Sequence, residues 1–394
     1  ILLFWLYYFK THKIDFMYLI STPHMGWDIV LYYVAKKFGI RMMYAERTLI
    51  ADRILLVEDM ANSEKVPQDF CAGKTKEQII SQIDQDLYQE AFKESYWLKS
   101  SKFPRGKKAE GKPLAQKIKS FFKLAKEFLT PGNYFEKDKQ AAFAYNGFIS
   151  KNQLLFIELF RKRSDAQLYQ HYKALTQKPD LNAQYIFFPL QFQPERTSIP
   201  LGGIFENQIL SLQILTKCLP VGWKIFVKDH PRHFRGSKLT SFQYRNQEYY
   251  SRLAAIPQVV LLDIEEDSNQ LIQNAQCVAT LTGSAGWEAL LAGKGCIVFG
   301  YPWYLGCASC IRVNSLESCR KALDIILKKA KGDVELDVLK YLAYYQPRFV
   351  LTSNLHVFAV QSKIKYEELV NTLAESIKIH LEETTQRKLW EAVK

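Results

Sequence analysis

From Gln184 to Tyr304 the chain alternates, almost without a break, between short apolar runs and helix-like stretches. "YIFFPLQ", "WKIFVK", "QVVLLD", "CVATLT" and "CIVFG" read as strands. "IFENQILSLQILTKCL" and "SAGWEALLAG" read as helices between them. The apolar runs are continuous rather than period-2, as in strands buried on both faces, and helical crossovers between such strands give a parallel sheet. The expectation is a Rossmann-like domain over residues 179–350. Residues 16–60 begin the same way. "FMYLIS" is a strand, "IVLYYVAKKFG" a helix stopped by Gly39, "IRMMYAE" a second strand and "DRILLVED" a third element. This βαβ spacing predicts a second Rossmann-like domain over 1–178, and 394 residues suffice for two cores. The fold class is α/β, and a ligand cleft is expected where the carboxyl ends of the strands face each other.

Two segments fall outside the alternation. Residues 99–113 are rich in Lys, Gly and Pro. They lead into a helical stripe of Leu114, Ile118, Phe121, Phe122, Ala125, Phe128 and Leu129, with lysines on the other faces. We read about 99–130 as a basic helical insertion in the first domain. An anionic membrane surface is its expected partner, set against packing on its own domain. Residues 351–394 read as a helical tail. The opening "ILLFWLYYF" reads as a buried helix or strand rather than a truncated signal sequence. Because the chain starts at Ile1, an upstream part of the first domain is expected to be missing.

Net charge is +13, and between Lys99 and Lys126 ten Lys/Arg face one acid. The excess is therefore local, which argues against a nucleic-acid-binding face. The seven cysteines are odd in number and several lie in strand-like runs, as expected for reduced, buried thiols of a cytoplasmic protein. Cys307 and Cys310 form a CxxC without a second pair, so a loop with incidental cysteines is the reading and no metal site is assigned. No run reaches the roughly 18 apolar residues of a spanning helix.

The chemistry gathers after the strands. Gln191, Gln193, Glu195, Arg196 and Thr197 follow the first strand of the second domain, and Lys228, Asp229, His230, Pro231 and Arg232 the second. Gly283, Ser284 and Gly286 open a helix carrying Glu288, and Tyr301, Trp303 and Tyr304 follow "CIVFG". Glycines allow close backbone approach, and a helix start presents free N–H groups to an anion. Lys228 supplies a fixed cation and His230 a switchable donor. The plainer alternative is a tight β–α turn with Ser284 as N-cap and Glu288 as its capping partner, plus a helix-starting His230–Pro231 turn.

"YIFFPLQFQPERTSIPLGGIFENQ", "KIFVKDHP" and "LTGSAGWEALLAGKGCIVFG" together resemble the bacterial capsule polysaccharide biosynthesis proteins, GT-B-type glycosyltransferases that include capsule Kdo transferases. "STPHMGWDIVLYYVAKKFGI" is similar to the first domain of that family. The resemblance implies a GT-B-like fold with two Rossmann-like domains facing a cleft. It also implies a metal-independent transferase that moves a sugar from a nucleotide-activated donor, CMP-linked in the Kdo case, to a growing surface polysaccharide or its lipid-linked acceptor. It places the donor on His230 and Pro231, with Lys228 in support, on the Gly283–Ser284 turn and on Glu288; Gln193, Arg196, Gly286, Tyr301 and Trp303 join the donor set as phosphate-, ribose- and base-binding residue types at the same strand ends. The acceptor base falls to His24 or Asp28, with Glu46 in reserve, although Pro23–Asp28 also reads as a turn with Asp28 capping the next helix. No cofactor beyond the donor is implied, and the expected location is cytoplasmic, peripheral on the inner face of the plasma membrane. A glycerophosphotransferase, a nucleotide-sugar epimerase and a non-catalytic nucleotide- or polysaccharide-binding module stand as alternatives.

Overall fold

The computed structural model describes residues 1–24, 26–50, 53–61, 64–92, 166–234, 244–351 and 365–393. The basic insertion at about 99–130 lies outside the described residues.

The second α/β unit follows the sequence closely. Strands β4 (Tyr185–Pro189), β5 (Lys224–Lys228), β6 (Val259–Leu262), β7 (Cys277–Thr280), β8 (Cys296–Val298) and β9 (Cys310–Arg312) form one six-stranded sheet in the order β6-β5-β4-β7-β8-β9. Every neighbouring pair is parallel. Successive residues of each strand point to opposite faces and both faces are covered. Ile186, Phe188, Ile225, Val227, Cys277 and Ala279 join one core. Tyr185, Phe187, Phe226, Val260 and Val278 join another. This double burial is why the runs read as continuously apolar. The chain runs outward from β4 to β6, then returns to the other side of β4 as β7. The topological switch point therefore lies between the carboxyl ends of β4 and β7, where such sheets bind ligands.

The first unit keeps the expected βαβ start and then departs from it. Strand β1 (Phe16–Leu19), helix α2 (Gly26–Lys37) and strand β2 (Arg41–Arg47) form the unit, with β1 and β2 parallel. Strand β3 (Arg53–Val57) turns back antiparallel to β2, and β10 (Phe349–Leu351) pairs antiparallel to β3. An apolar pentapeptide pairs equally well in either direction, so the sequence did not mark this reversal. The tail becomes a helix over Tyr366–Val393, whose Leu369 and Leu373 are buried. Leu373 packs with Met43, Ala45, Ile54, Leu56 and Val350 on one face of this sheet. The opening segment is helix α1 (Leu2–Thr11), which buries Phe9 and leaves Leu2, Leu3, Phe4 and Tyr7 exposed.

Residues 64–92 lie on the second unit: Lys65 Nζ donates to the carbonyls of Leu305 (2.7 Å) and Cys310 (3.0 Å). Ile79, Ile83 and Leu87 share a core with Val298, Val338 and Leu342. All seven cysteines are free thiols, six of them buried. No helix among the described residues is long and apolar enough to cross a membrane.

Candidate functional site

The loops leaving β1 and β2 meet the loop leaving β4. Glu46, near the end of β2, is buried; it accepts a hydrogen bond from the Thr22 hydroxyl, and its Oε1 lies 3.7 Å from Arg196 of the second unit. Burial raises the Glu46 carboxyl above its ordinary range, opposed by Arg196, Thr22 and His24. His24 sits two residues beyond Thr22, and its Nδ1 lies 2.8 Å from the Thr22 carbonyl. A carbonyl only accepts, so Nδ1 carries the hydrogen and Nε2 keeps its lone pair. The Asp28 carboxylate accepts the His24 backbone N–H at 2.9 Å. Asp28, in the first turn of α2, is thus engaged in shaping the turn that presents His24.

On the second unit, His230 follows β5 and begins a 3₁₀ turn over Pro231–His233, with Pro231 at its first position. Its Nδ1 accepts the Arg232 N–H at 3.1 Å, which leaves the hydrogen on Nε2. Burial pushes its imidazole down to about 4; Asp229 pulls it up, while His233, Arg232 and Lys228 push it further down. His230 therefore offers a neutral N–H at neutral pH.

Beneath it lies a buried network that the motif reading missed. Asp229 accepts from the His230 N–H (2.7 Å), His233 Nδ1 (2.9 Å), Arg245 Nε (3.0 Å) and the Tyr250 hydroxyl. Burial alone would raise the Asp229 carboxyl, but Arg245 and His233 lead the groups that hold it well below the usual carboxylate range. The pattern D-x-x-x-H in "DHPRH" could have flagged His233. Nothing local marks Arg245 or Tyr250, which reach Asp229 only through the fold.

Several residues expected at the donor site already have protein partners. Gln193 is buried and spends its side chain on Glu206, Gln208 and Arg245, so it braces the loop. Lys228 Nζ donates to the Glu266 carbonyl at 2.9 Å and the Ser268 hydroxyl at 2.5 Å, so its charge acts as a fixed field. A Cβ at Gly283 would collide with the Gln191 side chain, and one at Gly286 with the Tyr304 ring. These glycines admit protein side chains where a ligand was expected. Ser284 is the first residue of the helix Ser284–Leu291 and not its cap, which is Gly283; its hydroxyl bonds Glu288. Trp303 is buried against Trp287, ring centroids 4.6 Å apart, and is a core residue. Tyr301 remains partly open, with the Arg312 guanidinium 4.0 Å above its ring.

Glu288 is half-buried, and burial pushes its carboxyl up to about 7 against the opposing pulls of Ser284 and Lys228. A raised folded-state value makes the native state bind the proton more tightly. The resulting stability is full below the unfolded value of about 4.3 and is lost as pH rises through about 7. Glu288→Gln cannot ionise, so its melting temperature relative to wild type is expected to rise between pH 5 and pH 8. Parallel melting curves across that range would show a solvated carboxylate instead.

The model of the capsule polysaccharide biosynthesis protein family matches residues 132–309. The matched segment is similar to that family and makes up less than half of the chain. It contains β4 to β8 and every strand end just described for the second unit. The capsule polysaccharide modification protein LipA of Neisseria meningitidis serogroup B is 39% identical over 82 residues, covering 21% of this chain and 10% of that protein. The chain thus spans about a tenth of that relative's length. Among solved structures, the KpsC beta Kdo 2,4 transferase of Thermosulfurimonas dismutans aligns with 85% of this chain and 91% of its own at 10% identity and a TM-score of 0.33. The UDP-GlcNAc 2-epimerase of Methanocaldococcus jannaschii aligns with 87% and 79% at 12% identity and a TM-score of 0.29.

Proposed function

We propose that the chain is a glycosyltransferase of capsule assembly. It would move a sugar from a nucleotide-activated donor to a growing surface polysaccharide or its lipid-linked acceptor, on the cytoplasmic side of the membrane. The observation that carries the reading is the meeting of Glu46 and Arg196 across the two units. It joins the loop of His24 to the edge where His230, Ser284 and Glu288 end the strands of the family-matched sheet. In this reading His230 Nε2–H donates to a donor phosphate oxygen and Arg196 supplies a nearby positive charge. Glu288 receives a sugar hydroxyl. His24 Nε2 takes the proton of the attacking acceptor hydroxyl, the ordinary task of a general base. Neutralising a leaving phosphate with fixed protein charges and donors stabilises the developing charge where it forms.

Thermal-shift titration with CMP, CDP, UDP and GDP, each with and without Mg²⁺, tests the reading. A ligand at about 100 times its Kd adds roughly 2.7 kcal/mol, so a binding nucleotide raises the melting temperature measurably. Cytidine selectivity supports a Kdo or glycerol-phosphate donor, and uridine selectivity a hexose donor or an epimerase. No shift with any nucleotide sinks the transferase reading in favour of a non-catalytic module.

A further inference from the structure

Arg245 is 3% exposed and lies sixteen positions beyond the residue it neutralises. Its guanidinium makes four hydrogen bonds. Nε donates to Asp229 Oδ2 at 3.0 Å, Nη1 to Gln193 Oε1 at 2.9 Å and to its neighbour's carbonyl at 2.9 Å, and Nη2 to the Gln191 carbonyl at 3.0 Å. Two strand ends, those of β4 and β5, are thereby held by one rigid fork. The third is reached through Gln191. Its Nε2 donates to Thr280 Oγ1 at 2.8 Å, and the same oxygen accepts the Gly283 N–H at 3.3 Å. The missing Cβ of Gly283 is what gives the Gln191 side chain room.

An apolar cluster would fill this space at lower cost. Burying an ion pair gains little net stability over well-packed hydrophobic residues, so its value lies elsewhere, in specifying one arrangement. A planar fork with five donors fixes direction as well as distance, which a lysine does not. We propose that Arg245 is a positioning residue whose guanidinium locks the loops after β4, β5 and β7 into the one register in which His230 and the Gly283–Ser284 turn face the same phosphate group. The phosphate itself rests on the donor reading above; the mechanical coupling of the three loops does not. The charged and titratable groups facing this centre include Asp229, Tyr172, His230, His233, Tyr249 and Tyr250, and all remain in the variants below unless named.

Arg245→Lys keeps the positive charge beside Asp229 and removes the fork. Asp229→Asn combined with Arg245→Gln removes both charges and guards against a variant that fails to fold. The first readout is hydrogen exchange of peptides covering 190–193, 228–233 and 281–285, which needs no ligand. The second is calorimetric affinity for inorganic pyrophosphate. In whichever variant keeps a melting temperature near wild type, exchange is expected to accelerate in all three peptides together, while the β8 and β9 peptides stay protected. Pyrophosphate affinity is expected to fall about tenfold, the loss that follows from a displaced hydrogen bond to a charged group. Wild-type exchange in the three peptides, or acceleration confined to residues 244–250, overturns the proposal. So does unchanged pyrophosphate affinity in a variant whose unmodified parent binds it. If the unmodified protein binds neither pyrophosphate nor any nucleotide, the donor reading fails, and the exchange pattern alone decides whether Arg245 couples the loops.

Discussion

His24→Ala is expected to lower kcat by about 10²- to 10⁴-fold, the span associated with loss of a positioned general base. Donor affinity should hold within about twofold, because truncating one base removes an interaction made only in the transition state. The Thr22 carbonyl fixes the hydrogen on Nδ1, and the Asp28 carboxylate fixes the backbone N–H of the same residue. The ring is held at Nδ1 and the backbone at its N–H, which leaves Nε2 as the basic nitrogen. His24→Gln keeps a hydrogen-bonding side chain but offers no comparable base, so it should be as inactive as His24→Ala. Sugar transfer to acceptor and hydrolysis of the donor should be measured side by side. A base acting on the acceptor hydroxyl predicts that transfer collapses further than hydrolysis. Full transfer by either variant would remove His24 from the role and return attention to Glu46.

Glu46 would be a poor first choice even then. One oxygen takes the Thr22 hydroxyl and the other faces Arg196, so its contacts are spent on joining the two units. A carboxylate buried this deeply and held beside one cation behaves as a strut. Removing it would leave Arg196 without the partner that faces it across the units, and uncompensated charge near a buried site is costly.

The contrast between these residues shows what the sequence could carry. Five of the six strands of the second sheet, β4 to β8, were legible because burial on both faces writes itself into short continuous apolar runs; β9 begins at Cys310, which the sequence had assigned to a loop. The strand ends were legible as places for the same reason, since a run such as "KIFVK" must stop where the polar loop starts. What each residue does there was not legible. Gly283 and Gly286 look like ligand glycines until Gln191 and Tyr304 are seen filling the space. Trp303 looks like a stacking residue until Trp287 and Tyr341 are seen around it. Those outcomes depend on neighbours that approach through the fold, and no local pattern encodes them. The same holds for β10, which joins the first sheet from a point nearly three hundred residues beyond β3.

Replacing His230 separates binding from folding. Two local bonds define its geometry: Asp229 Oδ1 receives its N–H, and Nδ1 caps the Arg232 N–H. Asn is among the best residues at a capping position, whereas Ala costs about 1 kcal/mol there. His230→Asn should therefore melt close to wild type and His230→Ala somewhat lower. Neither places a donor where Nε2–H stands. A hydrogen bond to a charged group contributes about 1.5–3 kcal/mol, so both variants should bind the nucleotide about 10- to 150-fold more weakly. Plotted against melting temperature, the two affinities should coincide although the stabilities differ. If affinity instead tracks stability, with His230→Asn binding like wild type and His230→Ala weaker, then His230 serves the turn and the phosphate donor must be sought at Arg196.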